Sequence, residues 1–155
     1  MIASFHWGIG MSAEQQIPFV EGFFEWPSAD PRLIGSRCMV CGLAFFPRGF
    51  RCPNPACFGD EVEDVRFPRS GILSSFTVVR YPPPPPFVPT DPFEAFAIAE
   101  VEFDNGVQVI GPVPVEVGLD LTIGSPMKTE IDAYYKNDDG TEVVGWKFRP
   151  VAEPV

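Results

Sequence analysis

Histidine is almost absent: His6 is the only one in the 155-residue chain, and it stands close to the amino terminus. Nucleophilic and general acid–base chemistry lean on imidazole, so a catalytic Cys–His pair or Ser–His–Asp triad is disfavoured from the outset. Neither standard glycine loop for phosphate is present. No apolar run approaches the roughly 18 to 20 residues that cross a bilayer. The opening Met1-Ile-Ala-Ser-Phe-His-Trp-Gly lacks the basic start and long apolar stretch of an export signal, which points to a cytoplasmic protein without a membrane partner. Residues 1–15 are expected to be disordered, and Met11 is a second candidate start. Basic residues are scarce too, 11 Lys and Arg against 21 Asp and Glu, for a net charge of −10. That balance disfavours nucleic acid, whose affinity comes mostly from neutralising phosphates.

Cysteine is also sparse, but all four lie together, as Cys38-Met-Val-Cys41-Gly42 and Cys52-Pro-Asn-Pro-Ala-Cys57. Sulfurs two to four residues apart can face one ion at about 2.3 Å, and a second pair completes a tetrahedron of soft ligands that suits zinc. Four thiolates leave no position for water or substrate, so the site reads as structural. Two disulfides are the weaker reading, because disulfide scaffolds are denser in cysteine and follow a signal peptide. A redox pair at Cys38 and Cys41 leaves the other two cysteines unexplained. Iron of the rubredoxin type uses the same sulfurs and stays open, and with it a role in electron transfer.

Charge is unevenly spread. Residues 31–59 contain no carboxylate but hold Arg32, Arg37, Arg48 and Arg51, with Arg66, Arg69 and Arg80 beyond, while the chain from Asp91 onward is acidic. Four thiolates around a divalent ion carry −2, which leaves this stretch locally positive. Such a patch suits a small phosphorylated ligand or an acidic partner face. The plainer reading is that the arginines offset the thiolates and solvate the surface.

The chain reads as mainly β in three parts. Residues 16–35 are expected to be helical: Phe19, Val20, Phe23 and Phe24 recur at helical spacing, with Pro27 and Pro31 ending the run. Residues 36–61 form a rubredoxin-like zinc ribbon, in which Gly42 lets the backbone turn back toward the sulfurs and Leu43-Ala-Phe-Phe-Pro leaves as a short strand. So small a segment depends on its metal to fold. Residues 62–150 carry five strands: Ser70–Tyr81, Phe96–Phe103, Val107–Ile110, Met127–Tyr134 and Glu142–Phe148, with turn signals at Asn105-Gly106 and Asp139-Gly140. Five strands suggest a small barrel of the OB-fold kind. Between the first two lies Tyr81–Pro92, whose five consecutive prolines, Pro82 to Pro86, make a stiff loop that should not collapse onto the sheet. It reads as a rigid connector, or as a pre-ordered arm against a ligand or another subunit. Glu100 and Glu102 share one sheet face and read as solvated carboxylates.

The succession Arg37-Cys38-x-x-Cys41-Gly42-x-x-Phe45-Phe46-Pro47, Cys52-Pro53, Gly71–Val79, the proline loop and Lys147-Phe148-Arg149-Pro150 resembles the rubredoxin-like zinc-ribbon plus OB-fold proteins of acyl-CoA metabolism. The resemblance spans about residues 17–150. It implies a non-catalytic accessory subunit of a thiolase-fold large chain, an acyl-CoA thiolase or retro-aldolase, sharing that chain's acyl-CoA site. By the same analogy Arg48, Arg51 and Arg69 would reach the coenzyme's phosphates, and the barrel with its loops would face the large subunit. One departure is the four residues between Cys52 and Cys57 where the family usually has two, which leaves open the amide-to-sulfur bonds of the second knuckle. The other function class, an OB-type binder of single-stranded nucleic acid, requires a basic aromatic groove, and the acidic barrel opposes it.

Overall fold

The computed structural model describes residues 15–85 and 87–151; His6 and all but the last residue of the expected disordered segment lie outside them. Nine strands follow in order: β1 (Gln16–Pro18), β2 (Ile34–Cys38), β3 (Ala44–Phe45), β4 (Val62–Arg66), β5 (Ser70–Val79), β6 (Phe96–Glu102), β7 (Gln108–Pro112), β8 (Pro126–Lys136) and β9 (Glu142–Pro150). They build a three-stranded sheet, β3-β2-β4, and a six-stranded sheet, β1-β9-β8-β5-β6-β7.

The five expected barrel strands are β5 to β9. Alternation decides which side of each strand is buried: in β6, Ala97, Ala99 and Val101 are fully buried while Ile98, Glu100 and Glu102 turn outward. Gly106 takes the positive φ of 85° that the β6–β7 turn requires, and the Asn105 side chain accepts the Val107 amide at 3.0 Å. The barrel is not closed by a ladder between β7 and β9. The Trp146 indole spans the gap instead, donating to the Ile110 carbonyl at 2.9 Å. Gly111 leaves room for it, since a Cβ there would sit 2.8 Å from the Trp146 ring.

The expected helix over residues 16–35 is not formed; among the described residues there is no α-helix. Gln16–Pro18 pairs in parallel with β9, and the chain then turns through Gly22 at φ 85°. Phe24 bridges Leu33 in antiparallel fashion, with Glu25 N donating to Arg32 O and Ile34 N to Phe23 O, both at 2.9 Å. Pro18 and Gly22 disfavour helix, and the buried aromatics gain more from the core than from one short turn. A 3-10 turn at Val115–Val117 occupies the glycine-containing stretch before β8.

Nor does the proline loop stay clear of the sheet. Phe87 stacks on Phe19 with centroids 5.7 Å apart and reaches Tyr134 and Tyr135 at 6.4 and 6.2 Å. The prolines stiffen the approach, and one aromatic anchors its far end.

An aromatic seam joins the two sheets. Phe46, one residue past β3, packs edge-on against Trp146 at 5.4 Å and against Phe67 at 5.9 Å; Phe67 meets Phe103 at 5.3 Å, and Phe103 meets Phe148 at 6.2 Å. Gly35 of β2 makes way for Phe67, whose Cε1 would lie 2.7 Å from any Cβ there. Phe67 is fully buried. Phe67→Ala should therefore cost about 3 to 5 kcal/mol of unfolding free energy, read as a lower midpoint in urea. A midpoint equal to that of the unsubstituted chain would show that the seam does not join the sheets.

Candidate metal centre

Cys38 ends β2, Cys41 immediately precedes the tight turn at Gly42 (φ 82°), and Cys52 and Cys57 lie on the loop between β3 and β4. Backbone hydrogen bonds lock these loops: Cys38 N to Leu43 O and Gly42 N to Cys38 O at 2.9 Å, and Cys52 N to Gly59 O at 2.8 Å. All four cysteines are free of disulfides, and their sulfurs lie within 4.8 Å of one another. Two of the separations, Cys38 to Cys57 and Cys41 to Cys52, are 3.8 and 3.6 Å. A tetrahedron with sulfur about 2.3 Å from a central ion has edges of about 3.8 Å, whereas a disulfide draws sulfurs to about 2.05 Å. The spacing thus fits one tetrahedral ion and excludes two disulfides in this arrangement.

The electrostatics agree. The amides of Cys41 and Val40 donate to the Cys38 sulfur at 3.4 and 3.3 Å. The Cys41 amide is the leading cause that draws the Cys38 thiol down to about 7, against burial. Burial pushes Cys52 up to about 12, with the Asn54 amide opposing. Cys57 is also raised: the Gly59 amide favours its thiolate, but burial and the sulfurs of Cys38 and Cys41 outweigh it. Without a cation, one negative charge among four neighbouring sulfurs suppresses the others. A divalent ion removes that conflict.

The wide second knuckle keeps an amide-to-sulfur bond. Asn54 N donates to the Cys52 sulfur at 3.4 Å, and the Asn54 side chain accepts the Ala56 amide at 2.9 Å. Asn54 O then receives Cys57 N at 2.9 Å and Phe58 N at 3.2 Å. One asparagine thus ties the loop to the Cys52 sulfur and to the amides of Ala56, Cys57 and Phe58.

Two arginines of the carboxylate-free stretch, Arg32 and Arg48, are paired from outside it. Arg48 pairs with Asp64 at 2.8 Å and donates to Gly22 O at 3.1 Å. Arg32 pairs with Asp30 at 2.8 Å, Arg69 lies 3.5 Å from the same carboxylate, and Arg66 holds Glu25 at 2.7 Å. The Arg32 hydrogen bond is the main reason that the Asp30 carboxyl titrates below its ordinary range. Arg51 is exposed and has no ion-pair partner among the described residues. Of the three arginines expected to face phosphates, Arg48 and Arg69 are therefore engaged and Arg51 is free. Asp30 as a hub for Arg32, Arg66 and Arg69 was not legible from spacing, because Arg66 and Arg69 come from a segment distant in sequence.

Residues 64–132, from within β4 to within β8, match the family described as the C-terminal OB-fold domain of ChsH2. The likeness of this stretch is to an OB-fold domain. The ChsH2-type match falls on the barrel, and the sulfur cage lies outside it. Three archaeal relatives, each called a DUF35 domain-containing scaffold protein, extend the similarity across most of the chain. That of Methanothermobacter thermautotrophicus is 29% identical over 127 residues, 76% of this chain and 86% of its own. Those of Methanocaldococcus jannaschii and Pyrococcus furiosus are 28% and 27% identical, each over 77% of this chain and over 82% and 84% of their own. Among solved structures, a chain of the "Ltp2-ChsH2(DUF35) aldolase" shares the fold, with a TM-score of 0.56 and 24% identity over 77% of this chain and 84% of that one.

Replacing one of the two buried cysteines tests the cage. Cys52→Ser should lower the bound metal from one ion per chain to a trace after dialysis, measured by elemental analysis. Because each sulfur must lose a proton to bind, affinity in the unsubstituted chain should fall as pH falls. Full metal content in the variant would remove Cys52 from the ligand set.

Proposed function

We propose that this chain is a zinc-bearing, non-catalytic accessory subunit of a thiolase-fold enzyme acting on acyl-CoA thioesters, a thiolase or a retro-aldolase. The observation that carries this reading is the similarity, over about three quarters of the chain, to relatives named as scaffold proteins. The structurally similar aldolase is named for both Ltp2 and ChsH2, which supports a partner of aldolase chemistry. A cage of four sulfurs accords with a structural ion, because it keeps no open coordination position. Zinc is favoured over iron as a closed-shell ion without redox chemistry, and a colourless purified protein would agree with that choice. The reading places the protein in the cytoplasm, where its thioester-using partner would work.

In this reading the barrel and its loops support the large chain, and the arginines beside the cage border the shared acyl-CoA site. Arg51 is the best placed of Arg48, Arg51 and Arg69, because no carboxylate has to be displaced before it meets a phosphate. No described helix is long and apolar enough to cross a membrane, and none is needed for this role.

Affinity purification of the tagged chain from its native source should bring down a thiolase-fold protein, and the pair should cleave or form an acyl-CoA thioester that neither chain turns over alone. Arg51→Glu should raise the KM of that pair for acyl-CoA several-fold. Purification without such a chain, or turnover by the isolated polypeptide, would overturn the proposal.

A further inference from the structure

The four sulfurs of the cage are not equivalent. Cys38 and Cys52 are buried and Cys57 is half-buried, whereas Cys41 is exposed. Backbone amides divide them in the same way. Cys38 Sγ accepts the amides of Val40 and Cys41 at 3.3 and 3.4 Å, Cys52 Sγ accepts Asn54 N at 3.4 Å, and the Gly59 amide supports Cys57. Among the described residues no backbone amide donates to the Cys41 sulfur. An N–H aimed at a thiolate stabilises its charge and so blunts its attack on an electrophile. Exposure works the other way by admitting the electrophile, and cysteine oxidation is selective for such sites. Both differences single out Cys41.

A second sulfur stands within reach of it. Cys52 Sγ lies 3.6 Å from Cys41 Sγ, and it carries one amide bond where Cys38 carries two. Joining the two as a disulfide of about 2.05 Å requires an approach of roughly 1.5 Å. Cys38 and Cys57, 3.8 Å apart, would then be the remaining ligands. Two thiolates supply half of what a tetrahedral zinc ion needs. The bridge would enclose residues 42–51, with β3 and Phe46 inside it, so the hairpin that carries the aromatic seam stays tied when the ion leaves.

From this asymmetry we infer that Cys41 is an oxidation site for a small hydroperoxide, and that its sulfur then joins that of Cys52 and expels the ion. The Cys41 thiolate attacks the terminal peroxide oxygen: an S–O bond forms, the O–O bond breaks, and the departing oxyanion takes a proton from water. The Cys52 thiolate next attacks the Cys41 sulfur. An S–S bond forms, the S–O bond breaks, and the hydroxide that leaves is protonated to water. The two sulfurs give up two electrons and the peroxide receives them. Cys38 and Cys57 take up protons as the ion departs. A thiol reductant reverses the bridge by exchange, after which zinc can return. The inference needs a zinc ion in the cage and does not depend on the accessory-subunit reading.

The test uses the full chain loaded with one zinc ion. A substoichiometric dose of N-ethylmaleimide should label Cys41 first, read by peptide mass mapping. Hydrogen peroxide should release zinc to a chromogenic chelator in step with a Cys41–Cys52 disulfide, and a thiol reductant with added zinc should restore the ion. Cys41→His keeps a ligand that zinc accepts while removing the reactive sulfur, so it should hold its ion about tenfold longer under the same peroxide. If that variant takes up no zinc, the labelling order and the disulfide map of the unsubstituted chain decide. The inference is overturned by first or equal labelling at another cysteine, by a bridge within either knuckle, or by oxidation confined to Met39, which is exposed beside the cage. An unsubstituted chain that takes up no zinc would overturn it as well.

Discussion

Four sulfurs held within 4.8 Å of one another cannot all be ionised unless a cation lies among them, and the ribbon depends on this constraint. The ribbon sheet has little else: β3 is two residues long, and Gly42 turns back without apolar contact of its own. Once the cage closes, β3 is fixed against β2 through the Ser36–Phe45 and Arg37–Ala44 pairs, and Phe46 follows directly. That ring then sits against Trp146, whose indole bridges the open side of the barrel. Cage, ribbon and barrel closure thus form one mechanical series. Its weakest member is the cage, since the other links are partly buried aromatic contacts that need no ion.

How much of this could be read from residues alone depended on the range of the interactions. The barrel strands were legible because strict alternation and the Asn105-Gly106 and Asp139-Gly140 turns are local signals, and the cage because ligand spacing is local as well. The false helix arose from local signals too. Phe19, Val20, Phe23 and Phe24 have helical spacing, but Gly22 and the Phe24–Leu33 bridge deliver the same residues to the core by a turn. β1 carries almost no signal of its own, being Gln-Ile-Pro, and exists because β9, 126 residues further on, offers a free edge. Charge counting failed for the same reason. The carboxylate-free window is real, yet Asp30 and Asp64 lie just outside it in sequence and against Arg32 and Arg48 in space.

The second knuckle shows how a departure in spacing can create surface chemistry. Two residues between cysteines leave room for little but a tight turn. Four residues admit a small loop with its own organiser, and Asn54 fills that role by bonding to the Cys52 sulfur and to the amides of Ala56, Cys57 and Phe58. The loop's exit falls on Phe58 in the left-handed region, which aims an aromatic ring away from the chain. An insertion that looks like a weakness in a metal motif thereby shapes the outer face of the ribbon.

A closed cage also decides what kind of work the ion can do. An ion with four thiolate ligands has no position for a thioester carbonyl or a water, so it can act only through the geometry it imposes. Here that geometry is a rigid tip carrying Phe50, Phe58 and an uncommitted Arg51, joined through Phe46 to the barrel. Preorganised side chains lose little conformational freedom on association, so rigidity at the tip favours affinity even where the contact is small. A flexible ribbon with the same residues would have to order on binding. In the accessory-subunit reading proposed above, an ion in the cage would contribute by ordering the ribbon before the two proteins meet.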